Sequence, residues 1–423
     1  MSIAASALVS TQNAVSDVKR PCANFAPSIW GNTFLQYASE SMHQEVDDIM
    51  NQQAQILKEE VKMMFQSSNP NIMQKLNFID SIQRFGISYH FQKEINQALE
   101  QIHNTLTKDN TIISEDGNHH FLALLFRLLR QQGYQISSNV FNKFKNEQGN
   151  FNETLANDIQ GLCSLYEAAH LRIDGDDVLE EAYDFSNTQL MSLANQLSPS
   201  LAAQINHYLR QPLNKSVLRF EARYHMTVYE QDSSHNEILL TFAKVDFNIL
   251  QKMHQKEIGI ITKWWKQSNV MKKVPHARDR LVECYLWILA MSYKPEDSNG
   301  RMFAGKLSTV ITLLDDAYDA YGTVEELELL TEAFKRLMCF ANYSIYINCS
   351  KGLGFRDYFE QQRVHVASSV ECCMNQYGIS EVEAYKLIRK DIENYWKVIN
   401  EEYFNSYNIP KSVLDCGANF ARM

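Results

Sequence analysis

Turn formers are scarce in this chain: its 423 residues include only 15 glycines and 8 prolines. That scarcity excludes a fold of many short strands, which would need a turn every few residues, and leaves room for long helices. Positive charge is not in excess either, the formal net charge being −10. Without a basic stripe the chain has no footprint for a nucleic-acid partner. No stretch reaches the roughly 18 apolar residues of a membrane span. The eight cysteines (Cys22, Cys163, Cys284, Cys339, Cys349, Cys372, Cys373, Cys416) include no C-x-x-C pair, and H-E-x-x-H does not occur. The usual zinc patterns are therefore missing, and scattered cysteines read as reduced thiols of an intracellular protein. His119 and His120 are adjacent, not spaced for one metal, and read as ordinary helix or loop histidines.

What is present is core material. The chain is 45% hydrophobic and 21% charged, an ordinary globular balance, and its length suggests two or three domains. Nearly everything reads as helix. Residues 45–66 repeat apolar side chains at three- and four-residue steps (Val46, Ile49, Met50, Ile56, Leu57, Val61), and 238–266 do so at greater length. Polar punctuation separates such segments at 67–71, 114–118, 146–150 and 231–236. A change of character over 211–235 marks a boundary, giving an N-terminal helical domain over 20–223 and a C-terminal one over 224–423. Residues 1–19, rich in Ser and Ala and without Arg, read as a disordered cytosolic leader.

One apolar run ends in acid: KLSTVITLLDDAYDAYG, residues 306–322. Gly322 stops that helix, and Thr323 with Glu326 is a capping-box signature for the next. The acid-bearing helix is thus expected from roughly Phe303 to Tyr321. At about 100° per residue, Asp315, Asp316 and Asp319 share an arc of roughly 100°. Their neighbours Val310, Ile311, Leu313 and Leu314 predict a mostly buried helix, so the carboxylates need compensation from solvent, basic side chains or a hard cation. Mg2+ suits best, since it binds through one or two carboxylates plus substrate phosphates. Arg278 and Arg280 flank Asp279 just before an apolar, aromatic helix containing Trp287. Arginine offers planar donors that match phosphate oxygens, and aromatic faces stabilise carbocations. Acids, paired arginines and rings together are what ionisation of a diphosphate ester beside a dry cavity requires. Asp174-Gly175-Asp176-Asp177 has the form D-x-D-D, but its acids read as a helix N-cap and first-turn charges.

These segments resemble plant terpene synthases of the cytosolic sesquiterpene type. LLDDAYDAYGTVEEL resembles the family's aspartate-rich motif, RDRLVECYLWIL its R-x-R segment, and RPCANFAPSIW (20–30) its N-terminal arginine and tryptophan signature. RLLRQQGYQISSNVF, LYEAAHLR and KVDFNILQKMHQKE are similar to further family segments. The resemblance implies an all-α fold of two domains, an N-terminal α-barrel-like domain and a C-terminal class I terpenoid synthase domain. It implies metal held by Asp315, Asp316 and Asp319, with Mg2+ as cofactor and Mn2+ as its substitute. Arg278 and Arg280 would capture diphosphate, Asp315 would share in substrate binding, Trp287 would line the cavity, and Arg20 and Trp30 would close the site. The implied substrate is farnesyl diphosphate, the implied state a cytoplasmic monomer.

The resemblance breaks after Arg336. LMCFANYSIYINCSKGLGF (337–355) resembles nothing in the family, and likeness resumes at FEQQRVHVASSVECC. Glu360 falls where the last acidic ligand of the second metal motif belongs, but Gly352 and Arg356 occupy the positions of its first ligand and hydroxyl. NIPKSVLDCGANFARM resembles the start of the family's penultimate segment, so the closing helices are also expected to be missing. An internal deletion that removes half the metal-binding wall implies little or no cyclase activity. The alternatives are a non-catalytic helical protein that binds prenyl diphosphate or a partner, and a chain-elongating prenyltransferase, which the N-terminal domain and RPCANFAPSIW disfavour. Altered splicing or an erroneous gene model explains 337–355. Sequencing the transcript across codons 330–360 decides between them: a message matching this chain is a real shortened product, and one carrying extra helices exposes a faulty gene model.

Overall fold

The structure, a computed structural model, describes residues 25–38, 44–66, 71–108, 118–338, 368–406 and 409–423. The expected leader, Arg20, Glu360, Gly352, Arg356 and residues 339–355 lie outside the described residues. Among those described, the regular elements are helices, with one isolated antiparallel bridge between Lys145 and Phe151. In chain order they are α1 Gln44–Gln66, α2 Ile72–Arg84, α3 Gln92–Lys108, α4 His119–Gln131, α5 Ile159–Ala169, α6 Asp177–Ala194, α7 Pro199–Arg210 and α8 Leu218–Glu230. There follow α9 Glu237–Ser268, α10 Val270–Lys273, α11 Leu281–Met291, α12 Ser298–Ala320, α13 Val324–Met338, α14 Ser369–Tyr377, α15 Glu381–Asn405 and α16 Lys411–Ala421.

The starts of these helices are written locally. Asn118 Oδ1 accepts from the Phe121 amide at 3.0 Å, Asp158 Oδ1 from Gly161 at 2.8 Å, and Asn236 Oδ1 from Leu239 at 2.9 Å. Each satisfies one donor that the helix itself leaves orphaned. The 32-residue α9 stops at Asn269, whose φ of 52° is the left-handed conformation that asparagine tolerates.

Helix α4 is apolar nearly all round, so it is buried. One side (Leu124, Leu125, Leu128, Leu129) packs into the core of α1–α3, α8 and the start of α9, and the other (Leu122, Ala123, Phe126) into the core of α5 and α6. Its two buried arginines are neutralised. Arg127 and Arg84 both hold Asp80, and they outweigh the upward push of burial to keep that carboxyl well below the usual range. Arg130 meets Asp176 at 2.7 Å, and Asp176 also accepts from Ser138 Oγ and the Ile173 amide. The D-x-D-D run is therefore a structural corner at the start of α6. His119 pairs with Asp158 and His120 bridges Ser164 and Asn77, both at the start of α4.

Helix α8 runs through 211–235, and its Ala222 and Met226 share one core with Leu239, Leu240 and Phe242 of α9. One sequence expectation needs correction. Along α1, Val61 is fully buried but Ile49 and Ile56 face solvent, because the helix packs along α9 on a narrower face than its periodicity suggests.

The second half of α9 forms a third core with α11 and α12 around Ile261, Trp265, Leu281 and Tyr285. The short 3-10 turn Leu35–Ala38 crosses α9 at Gly259, where a Cβ would come within 2.7 Å of the Tyr37 and Ala38 backbone. At the centre lies an ion pair. Arg301 of α12 donates from Nε and Nη2 to the two oxygens of Glu257 on α9, at 2.9 and 2.7 Å. Its Nη1 donates to the Ser292 and Lys294 carbonyls at 3.0 and 2.6 Å, and Tyr285 Oη donates to Glu257 at 2.7 Å. Burial pushes the Glu257 carboxyl up, but hydrogen bonds from Arg301, Ser298 and Tyr285 leave it below its usual 4.5. A carboxyl lowered on folding adds stability above its unfolded pKa and loses it as pH falls through the folded value. Arg301→Met, which strands a buried carboxylate, is expected to cost about 3–5 kcal/mol at neutral pH in urea unfolding. Glu257→Gln should in addition weaken the fall in stability below pH 4.5.

Candidate active site

The loop before α11 and the end of α12 bring the expected residues together unevenly. Asp279 is fixed first, its Oδ1 accepting from Trp265 Nε1 of α9 at 3.0 Å. On one side of it, Arg278 turns onto α12: its backbone amide donates to Asp316 Oδ2 at 2.6 Å, its Nε to Asp316 Oδ1 at 2.6 Å, and its Nη2 also pairs with Oδ1. Asp316 is 0% exposed. Three donors from one residue are what allow a carboxylate to sit there, since an unpaired buried charge costs far more than the pair returns. Arg278 Nη2 also lies 3.6 Å from Asp315, whose side chain is 60% exposed, and its guanidinium stacks 4.8 Å above the Phe25 ring.

On the other side, Arg280 lies at the surface, 3.6 Å from Glu283. Such a partly exposed i,i+3 pair at 3.6 Å holds the guanidinium only loosely. Asp319 is exposed, one turn after Asp315. Ser308, Thr312, Asp315 and Asp319 follow one another at helical spacing along a single stripe of α12, and Asp316 points to the packed side. Thr312 is anchored to α11 through Cys284 Sγ at 3.2 Å, and Trp287 of α11 is half-buried. The helix ends as its sequence dictates. The Gly322 amide donates to the Ala317 carbonyl at 2.7 Å, and Thr323 and Glu326 exchange the two hydrogen bonds of a capping box. Tyr321 stacks on His276, with ring centroids 3.6 Å apart and 2° between planes.

The expectation of a mostly buried α12 is corrected. Only the face carrying Arg301, Thr309 and Asp316 is enclosed; Phe303 is 70% exposed, Val310 42% and Ile311 40%. The apolar run is real, but no described element covers its outer half. A recess of about 340 Å³ opens at the α12–α13 junction, lined by Val310, Leu313, Leu314, Ala317, Leu327 and Leu330. It takes in none of Asp315, Asp319, Arg278 or Arg280. Among the described residues no three His, Cys, Asp or Glu side chains gather to hold a metal ion. Asp315 and Asp319 alone suit a hard cation that takes one or two carboxylates and fills its remaining positions with water and ligand phosphates.

Sequence reasoning missed the inward turn of Asp316 and the part of Phe25. The spacing of the acids gave the arc, but only the position of Arg278 decides which of them is enclosed. Phe25 stood inside RPCANFAPSIW, yet its contact with Arg278 spans a separation of 253 positions that no local pattern reports. Trp30 packs 5.8 Å from Phe34, next to the turn that crosses α9.

Residues 29–209 match the family model described as terpene synthase, N-terminal domain, and residues 266–343 and 355–398 match the terpene synthase family, metal binding domain. The chain is 38% identical to "Probable terpene synthase 2" of Ricinus communis, covering 97% of this chain and 94% of that protein. It is 36% identical to the (-)-germacrene D synthase of Vitis vinifera, covering 98% and 93%. That alignment is 523 residues long against a chain of 423, so the relative carries a sizeable block for which this chain has no counterpart. The fold superposes on limonene synthase solved with 2-fluorolinalyl diphosphate, with a TM-score of 0.83, 26% identity, and coverage of 94% of this chain and 93% of that one.

The enclosed and exposed carboxylates should separate in stability. Asp315→Asn and Asp319→Asn are expected to shift the unfolding free energy by no more than about 0.5 kcal/mol. Asp316→Ala, which strands Arg278, should lower it by about 3–5 kcal/mol in the same urea titration.

Proposed function

Because the chain belongs to the terpene synthase family, we propose that it is a sesquiterpene synthase-type lyase whose substrate is farnesyl diphosphate. The observation that carries the reading of the site is the division among the three aspartates. Asp315 and Asp319 stand exposed on one stripe with Ser308 and Thr312, and Asp316 is turned inward to hold Arg278.

In this reading Asp315 and Asp319 are the metal-facing pair, and Mg2+ is the ion. When bound, it supplies charge neutralisation for the departing diphosphate. Asp316 acts one step back: it fixes Arg278, and Arg278 reaches Asp315 and so sets the edge of the site. Arg280, lightly held by Glu283, is the arginine with donors to spare for diphosphate oxygens. The Phe25 ring covers one face of the Arg278 guanidinium and limits its access to water. Trp287 contributes an aromatic face.

The bare outer half of α12 sets the expected rate. Diphosphate departure needs charge stabilisation from a preorganised, water-excluded site, and here one apolar wall of that site faces solvent. Binding should therefore survive better than turnover. Incubated with farnesyl diphosphate and Mg2+, the chain is expected to give sesquiterpene barely above an enzyme-free control by gas chromatography. A non-hydrolysable farnesyl diphosphate analogue should still bind in a Mg2+-dependent manner and lose that dependence in Asp315→Asn/Asp319→Asn. Abundant sesquiterpene would overturn the low-activity reading, and absence of Mg2+-dependent binding would overturn the assignment of the site.

A further inference from the structure

Away from α12, a cavity of about 170 Å³ lies where the C-terminal helices α15 and α16 meet α2, α4 and the turn around Asn214. Its wall carries an unusual charge balance. Four cations line it, Arg130, Lys294, Lys411 and Arg422, and a single carboxylate, Asp415. Arg130 is committed to Asp176, yet it is 6% exposed and its Nε has no hydrogen-bond partner. Lys411 Nζ donates only to uncharged oxygens, the Gln131 carbonyl at 3.3 Å and Gln132 Oε1 at 3.0 Å. Arg422 does likewise, from Nε to the Asn214 carbonyl at 2.8 Å and from Nη1 to Asn419 Oδ1 at 2.6 Å. Neither has a carboxylate within ion-pair distance among the described residues. Asp415, the one acid in the wall, accepts the Tyr403 hydroxyl at 2.7 Å.

Burying cations without counter-charge is costly. Most enclosed arginines of this fold are paired with a carboxylate: Arg127 with Asp80, Arg172 with Glu393, Arg278 with Asp316, Arg301 with Glu257; Arg219 instead donates to the Phe247 carbonyl and lies over its ring. Lys411 and Arg422, half-buried and attracted by Asp415 only from beyond ion-pair distance, line a cavity, where an anion from solution has room to add counter-charge. We propose that this inter-helix cavity is a binding site for a small inorganic oxyanion, phosphate or diphosphate, held by Lys411 and Arg422 with Arg130 at its back. Arginine and lysine together suit such a ligand, the guanidinium offering a planar fork and the ammonium a point charge. The site draws helix α16 and the Asn214 turn toward one ligand, so its occupation should also tighten the contact between the two halves of the chain.

Isothermal titration in EDTA, with phosphate and diphosphate in separate experiments, tests this free of any metal-dependent binding at α12. The parent protein is expected to bind at one site and to melt at higher temperature with the anion present. Lys411→Gln keeps a donor for the Gln131 and Gln132 oxygens and removes the charge; Arg422→Gln does the same opposite Asn214. Each should weaken binding at least about tenfold, the loss expected of one charge-assisted hydrogen bond, with helicity by circular dichroism unchanged. Asp315→Asn/Asp319→Asn should bind like the parent. No saturable binding to the parent in EDTA would overturn the proposal. So would binding that survives in both Lys411→Gln and Arg422→Gln, or binding that is lost in the aspartate pair.

Discussion

The bidentate pair of Arg301 and Glu257 decides where α12 can sit. It joins α9 to α12 across the C-terminal core, and its third guanidinium nitrogen ties down the carbonyls of the α11–α12 connection. Both charges are buried, so neither is tolerable without the other. A shift of α12 along its axis would break two charge-assisted bonds at once. The register of that helix is therefore fixed four turns before the acids, and the acids inherit their direction from it.

At the far end of α12 a second buried pair repeats the arrangement. Asp316 is accepted into the interior only because Arg278 brings three donors, and Arg278 is delivered there by a loop that Asp279 anchors on Trp265. Positioning thus runs from α9 through two separate routes, Glu257–Arg301 and Trp265–Asp279, that meet at Asp316. The two remaining carboxylates are left on the solvent side by this geometry and not by their own preferences. A chemically uniform cluster in the sequence becomes two kinds of carboxylate in the fold, one that supports and two that face outward.

Local signals were legible where a few residues settle the matter among themselves. Thr323 with Glu326, Gly322 before them, and the long apolar rhythm of α9 need only neighbours within one or two turns. The all-α architecture and the acid-tipped helix were legible for the same reason. What was not legible depends on partners distant in sequence. Ile49 and Ile56 carry the periodicity of a buried face, yet exposure is set by how α9 crosses α1. Within 211–235, Ala222 and Met226 are buried because α2 and α9 lie beside them, which the local sequence does not report. The inward turn of Asp316 belongs to this second class, since its cause sits 38 positions away.

The exposure of Val310, Ile311 and Phe303 is the most informative disagreement of all. Sequence periodicity reports the environment for which a segment was shaped, and structure reports the environment it has. On α12 the two differ by half a helix face, and the break in the metal-binding match between residues 343 and 355 falls just beyond α13. The apolar run makes physical sense in a chain that carries the block present in the longer relative. In this one Phe303, Val310 and Ile311 stand exposed, with no described element over them. Loss of such a block need not unfold what remains, because Glu257–Arg301 and Asp316–Arg278 are both made within the part retained. Stability and chemistry are thus separable here: the ion pairs that hold the acid-bearing helix are made, and among the described residues no element covers its outer face.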